Sequence, residues 1–500
     1  MRNRFAVTEA ASVVHKSELA QYDKKVQAIQ DMTLTWITRS ANCPLDIALS
    51  CEDTAFGRDP EDDFDDVPIN EPVASQFPQP TCIDPILMDL ILSVANRWKR
   101  ASFNLALASW NSPLLRLLET SPANVPQLED LQLVLVLPQS FSEETRWEGL
   151  TPRIGLLQAP RLRALALGRL WVPSDQLPVN FGALTELYLG PYIDAHSTDH
   201  YSMTPSHALA VLKACRNLVR CFLTLDSGSR FGDYLPGAHN NTASSTLLPL
   251  DQKITLPYLK SVSIQGSFLP TGFASSLNLP SLRTLFILCH PVIPQNEDNS
   301  GLVDWVRNFG DMLTEVTFEH STLTEAALLY CLEHLPNVET LRLVDTGMMM
   351  HGNWNGEIDA PRSALLTDYI LARLTPKSDA DESSQSYCPK LQNFSCRMTE
   401  IECTEKGLLD FITGRRQFTS FTSPLKRLVV KLNITQRMDI REELMNRGVD
   451  LEGLSLLIRY NEPLGMPFGQ TSDKRLENLL PEDRMVAGDY WVPGGLELWY

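Results

Sequence analysis

The sequence predicts an α/β solenoid of irregular leucine-rich repeats. Parallel strands line the concave face, helices line the convex face, and an N-terminal helical segment comes first. Two observations predict this. The first is a returning phrase, Leu-x-x-Leu-x-Leu behind a proline. It reads VPQLEDLQL (Val125–Leu133), APRLRALAL (Ala159–Leu167), LPYLKSVSI (Leu256–Ile264), LPSLRTLFI (Leu279–Ile287), LPNVETLRL (Leu335–Leu343) and CPKLQNFSC (Cys388–Cys396). Weaker copies are FGALTELYL (Phe181–Leu189), CRNLVRCFL (Cys215–Leu223), DMLTEVTF (Asp311–Phe318), SPLKRLVV (Ser423–Val430) and VDLEGLSL (Val449–Leu456). The second is the spacing of their middle apolar residues: Leu131, Leu165, Leu187, Cys221, Val262, Leu285, Val316, Leu341, Phe394, Leu428 and Leu454. These lie from 22 residues apart (Leu165 to Leu187) to 53 (Leu341 to Phe394). Several steps fall in the ~20–29-residue range of such repeats. The longer ones carry insertions.

Residues 1–44 read as a helical connector. Leu19, Tyr22, Val26, Ile29, Leu34 and Ile37 recur at helical spacing across Val7–Trp36, and Cys43-Pro44 stops the run. Residues 45–110 read as helix–strand units. Leu45, Ile47 and Leu49 alternate as in a strand. Residues 52–80 form an acidic, proline-rich, disordered loop with nine acids against one base, Arg58. Pro85–Arg100 reads as a second helix with Ile86, Leu87, Leu90, Ile91 and Val94 buried and Trp98 near its end. Ala101–Ala108 alternates again.

Residues 111–460 read as the repeat solenoid and 461–500 as a tail. In each copy the leucines point into the core, and the residue between the last two, Gln132 in the first copy, points to the open face. Return helices are expected at Pro205–Cys215, Leu302–Phe309, Thr324–Glu333, Ser363–Leu374, Glu405–Ile412 and Ile440–Arg447. Insertions are expected at Asp226–Asp251, Gly347–Asn355 and Pro376–Tyr387. Each unit buries its leucines only against its neighbours, so the array is stable only as an array.

The bulk composition excludes several classes. A net charge of −18 opposes general binding to nucleic acid or to an anionic membrane. No apolar run approaches the ~20 residues of a membrane-spanning helix, and Met1–Ala20 has no apolar core of a secretory signal. The ten cysteines are scattered without a C-x-x-C pair, which fits a reduced, intracellular protein, cytoplasmic or nuclear.

Catalytic motifs are missing: there is no phosphate loop, dinucleotide fingerprint, nucleophile elbow or H-E-x-x-H. Asn296–Arg307 starts like a calcium loop but ends in Arg307 where a bidentate Glu is required. Asp194, His196, Asp199, His200 and His207 cluster in what reads as a surface loop rather than a metal site. No metal or cofactor is expected, and the chain is not expected to be an enzyme.

One order of elements is more specific than the repeats. Trp36-Ile-Thr-Arg39-Ser40-Ala-Asn-Cys43-Pro44-Leu45-Asp-Ile47 is followed by Leu87-x-x-Leu90, then Asn96-Arg97-Trp98-Lys99, an alternating strand and the repeats. Arg447-Gly448-Val449-Asp450-Leu451 follows near the end. This order resembles the fungal F-box proteins with degenerate leucine-rich repeats, over roughly residues 28–460. The F-box itself, a ~45-residue helical module opening on a Leu-Pro-x-Glu-like phrase, is not visible before Trp36. The resemblance implies the substrate-recognition part of an SCF-type ubiquitin ligase. Its partners would be a protein substrate, and a Skp-type adaptor and cullin if an F-box lies upstream. The alternative is a free-standing leucine-rich-repeat scaffold with no role in ubiquitin chemistry. Trp36, Trp98 and Pro44 read as core anchors and a helix stop.

The binding face is expected along the outward strand positions: Gln132, Ala166, Tyr188, Phe222, Ser263, Phe286, Thr317, Arg342, Ser395, Val429 and Ser455. Tyr188, Phe222 and Phe286 would form an aromatic patch of the kind enriched at interfaces. Arg342, Arg397, Arg427 and Lys431 would give the C-terminal part a basic character suited to an acidic or phosphorylated peptide.

Overall fold

The computed structural model describes residues 21, 24–51, 85–106, 114–136, 154–168, 177–190, 203–225, 253–266, 269–270, 272–289, 300–319, 323–344, 366–376, 386–397, 402–417, 422–432 and 434–460. They fall in two compact units, Met1–Ala183 with Tyr192–His196, and Leu184–Pro191 with Ser197–Tyr500. Both are α/β. Val7–Ala20, the acidic stretch 52–80, most of the three insertions and the tail 461–500 lie outside the described residues.

The first unit places strands β1 (Leu45–Cys51), β2 (Trp98–Ala106), β3 (Asp130–Val136) and β4 (Ala164–Gly168) side by side in chain order, every pair parallel. Alternation explains them: Leu131, Leu133 and Leu135 are buried, as are Leu165 and Leu167. Two expectations need correction. The helix from Pro85 ends at Ser93, a tight turn spans Ala95–Arg97, and Trp98 opens β2. A bulge at Lys99, where Leu45 pairs with Trp98 but Asp46 pairs with Arg100, turns Trp98 inward beside Ala101 and Phe103. Its ring lies 5.6 Å from that of Phe103. Ile86, expected inside, is exposed.

Trp36 is the second correction. Residues 24–39 are helical, and the packed side carries Val26, Gln30, Thr33 and Ile37 at i, i+4, i+7 and i+11. Trp36 falls outside that stripe and is 45% exposed, with Ile29 and Met32 also exposed. The anchor is instead Arg97. Its Nε donates to the Cys43 carbonyl at 3.0 Å and its Nη2 to Ser40 Oγ at 2.7 Å. The two most specific phrases of the sequence therefore meet in one joint. The guanidinium thus ties down the turn after the helix, where Ser40 Oγ donates in its turn to the Ile37 carbonyl of the last helical turn at 2.8 Å.

The second unit contains β5 (Glu186–Gly190), β6 (Arg220–Leu225), β7 (Ile254–Thr255), β8 (Ser261–Gly266), β9 (Leu277–Asn278), β10 (Thr284–Cys289), β11 (Glu315–Glu319), β12 (Thr340–Val344), β13 (Asn393–Arg397), β14 (Arg427–Leu432) and β15 (Ser455–Tyr460). Nine run in parallel in the order β5-β6-β8-β10-β11-β12-β13-β14-β15, not closed into a barrel. Strands β7 and β9 form a separate parallel pair. That small pair has no counterpart in the expectations, because two-residue strands leave no periodic signal.

The returning phrase is explained by its turn. In Leu256-Pro257-Tyr258-Leu259 the Leu259 N–H donates to the Leu256 carbonyl at 3.4 Å. The same bond closes Val125–Leu128 (3.2 Å), Ala159–Leu162 (3.2 Å), Leu279–Leu282 (3.2 Å), Leu335–Val338 (3.4 Å) and Cys388–Leu391 (3.0 Å). Proline presets the backbone angle of the second turn residue, which is why it recurs there. Both ends of each turn are buried. The turn thus fixes the phase of the strand that follows.

Return helices match five of the six expected places: Pro205–Ala214, Ser300–Phe309, Glu325–Glu333, Glu405–Gln417 and Ile440–Asn446. The sixth is shorter, Asp368–Leu374. Thr204, Thr324 and Thr367 cap three of them, each accepting from the N–H three residues on, and Asp439 caps a fourth. Thr404 holds the Gly407 N–H and is itself held by Asp368, which links two successive helix starts.

Candidate partner-binding face

Turn and ladder together decide which residues face away from the leucines. In the second unit one register row reads Leu187, Cys221, Val262, Leu285, Val316, Leu341, Phe394, Leu428 and Leu456, all on the core side. The next row reads Tyr188, Phe222, Ser263, Phe286, Thr317, Arg342, Ser395, Val429 and Leu457, on the opposite side. Ten of the eleven expected middle residues stand where the phrase puts them. The exception is the last: Leu456 replaces Leu454, and Leu457 replaces Ser455. Leu451–Leu454 is itself a closed turn (3.1 Å) with Gly453 at φ +72°, so the strand starts only at Ser455.

Of the three aromatic residues expected to form a patch, two touch. The rings of Tyr188 and Phe222 stack at 4.2 Å and 17°. Phe286 stands one strand further than contact allows, because Ser263 sits in register between it and Phe222. Neighbouring strands are ~4.8 Å apart, which puts Phe286 about 10 Å from Phe222. Phe222 is only 2% exposed, while Tyr188 and Phe286 are half-buried. Small polar residues lie in the shade of larger neighbours: Ser263 between two phenylalanines, Thr317 between Phe286 and Arg342. The hydroxyl of Thr224, two residues further along β6, is buried and has no hydrogen-bond partner among the described residues.

In the first unit the corresponding positions are Ser102, Gln132 and Ala166. Ser102 Oγ donates to Gln132 Oε1 at 3.0 Å across two strands, and Gln132 and Ala166 are buried.

Charge is distributed differently from the expectation. Arg342 is held by Glu315 of the neighbouring strand, and Arg220 pairs with Glu186 at 3.6 Å. The centre of the face is therefore internally balanced, and Arg342 is not an open seat for an anion. Arg427 is half-buried on β14, and Arg397 is the last residue of β13. Lys431 is exposed and stands directly opposite Arg459 of β15, also exposed. Arg459 was missed from the sequence, although Ser-Leu-Leu-Ile-Arg-Tyr alternates in phase with Arg427, Val429 and Lys431 and could have revealed it.

Asp194, His196, Asp199 and His200 lie outside the described residues. Among the described residues no group of three metal-binding side chains comes together, and no helix is long and apolar enough to cross a membrane. Against models of known protein families and against curated proteins, the sequence matches none.

Proposed function

We propose that this chain is a protein-binding protein of the irregular leucine-rich-repeat type, acting inside the cell as the substrate-recognition part of an F-box-type ubiquitin ligase. The observation that carries the reading is the sidedness of the second unit. Nine parallel strands repeat one apolar pattern on the core side, whereas the opposite row changes from strand to strand, from stacked aromatics to an ion pair to a basic end. A repeated core with a non-repeating open row is what a surface selected for one partner looks like. The joint of Ser40 and Cys43 with Arg97 supports the family reading, because the two phrases that carry the resemblance form one contact. The chain's own contribution would be binding: holding a substrate beside a ubiquitin-charged enzyme raises its effective concentration.

The test is affinity purification of the full-length chain, with quantification of a Skp-type adaptor and a cullin. Both are expected to co-purify with the native transcript's product where that product carries an F-box upstream of Trp36. Tyr188→Ala with Phe286→Ala is expected to lose the substrate and keep the adaptor. A chain that keeps its protein partner through this face but brings down neither adaptor nor cullin overturns the ligase assignment and leaves the free-standing scaffold.

A further inference from the structure

The C-terminal strand offers a second surface, distinct from the open row. Among the described residues strand β15 is paired on one side only, with β14. The Ser455 N–H donates to the Lys426 carbonyl at 2.8 Å, which fixes the phase of that ladder. In a parallel pair alternate residues bond to the same neighbour, so Leu456, Ile458 and Tyr460 turn their N–H and C=O groups to the free edge. The side chains tell the same story. Leu428, Val430 and Leu432 of β14 are at most 1% exposed, whereas Leu456, Ile458 and Tyr460, their register partners on the same side, are only half-buried. The apolar layer continues to this edge, and no further strand covers it among the described residues.

The other side of the same edge carries unbalanced charge. Lys431 and Arg459 stand directly opposite each other, both exposed, and neither joins an ion pair among the described residues. Like charges at facing positions repel. The acids that touch this strand, Glu405 and Asp439, act on Tyr460 on the core side. Glu405 is moreover engaged by the N–H groups of Arg437 and Met438. Further back, Asp450 belongs to Arg416.

We infer that this edge takes an extended segment of a partner protein in which apolar and acidic residues alternate, added as a further parallel strand beside β15. Its apolar residues extend the Leu456–Ile458–Tyr460 layer, its acids lie beside Arg459 and Lys431, and its backbone bonds to the three free N–H and C=O sets. This is strand addition, with main-chain bonds for affinity and alternate side chains for selection. Charge complementarity chooses the acidic partner over a neutral or basic one.

The experiment measures binding of two labelled eight-residue peptides, alternating leucine–glutamate and alternating leucine–lysine, to the full-length chain by fluorescence anisotropy. Sedimentation velocity on the same samples reports self-association. The acidic peptide is expected to bind at least tenfold more tightly than the basic one. Lys431→Glu with Arg459→Glu, two exposed surface changes, is expected to reverse that preference. Ile458→Pro removes an edge-facing N–H while leaving the ladder to β14, and is expected to weaken the acidic peptide at least tenfold. Equal binding of both peptides, a preference unchanged by the charge reversal, no binding to the full chain, or an edge-to-edge dimer that the peptide does not displace would each overturn the inference.

Discussion

Arg415 closes the most consequential internal contact of the second unit. It is wholly buried near the end of the helix Glu405–Gln417. Its Nε donates to the Leu374 carbonyl at 2.7 Å, Nη2 to those of Tyr387 (2.8 Å) and Cys388 (3.0 Å), and Nη1 to that of Pro389 (3.3 Å). These carbonyls flank an insertion and lead into β13, where Ser395 and Arg397 take their places. Burial lowers the guanidinium pKa to about 10, so it is still charged at neutral pH. Arg415→Met removes four charge-assisted bonds, each worth roughly 1.5–3 kcal/mol net. It also relieves several kcal/mol of desolvation, and each carbonyl keeps a second donor (Ser386 Oγ, the Leu391 N–H or the Ser423 N–H), which brings the balance down to about 3–5 kcal/mol. The expected loss is therefore about 3–5 kcal/mol, read by urea unfolding. Hydrogen exchange is expected to rise first in residues 386–391. Arg415→Lys keeps the charge but cannot reach all four carbonyls, and is expected to recover less than half. A loss under about 1 kcal/mol for Arg415→Met would mean that the carbonyls are not held by this side chain, and would refute the reasoning.

Two further perturbations follow from the same packing. Gly266 has φ +151°, and a Cβ there would overlap the carbonyl oxygen of Leu225, its register partner. Gly266→Ala is expected to cost about 1–3 kcal/mol from backbone conformation alone, and more as β6 and β8 separate. Gly448→Ala (φ +71°, nothing within 4 Å) should show only the conformational share in the same urea titration. Burial raises the thiol pKa of Cys215, Cys331, Cys388 and Cys403 to about 12. In the unfolded chain these thiols ionise near 9, so their stabilisation is complete below pH 9 and is lost as pH rises toward 12. Unfolding free energy should fall across that window. Mass-spectrometric thiol labelling at about pH 8 should modify the peptide carrying exposed Cys43 well before those carrying the buried thiols.

The strand positions were legible because the turn is written locally. Proline at its second position and an apolar residue at each end specify a bend whose hydrogen bond spans four residues, and the strand then inherits its phase. Return helices were legible from their apolar periodicity, but the start fixed by the Thr367 cap was not, and the helix expected from Ser363 begins at Asp368. What stayed hidden was tertiary. Arg415 and Arg416 stand together at a helix end and read alike, yet one is buried in carbonyls and the other reaches Asp450 and Glu452. Trp36 and Ile86 belong to apolar patterns that predict burial, but only part of each helix meets a neighbour. The pairing of Arg342 with Glu315 depends on register between residues 27 apart in the chain, which no local pattern encodes.

The two surfaces differ in how the repeat grammar produces them. Within the array a strand with a neighbour on both sides has its apolar side chains covered and can find charge partners on the next strand, as Arg342 does diagonally in Glu315 of β11. Variation in the middle of the open row must therefore act through shape, through the Tyr188–Phe222 stack and Phe286. Strand β15 does not share this balance, because among the described residues no further copy covers Leu456 and Ile458 or answers Arg459. A repeat fold thus concentrates unanswered backbone, apolar surface and charge at such an edge. Electrostatic choice of a partner is strongest there, and the Lys431–Arg459 pair sets its sign.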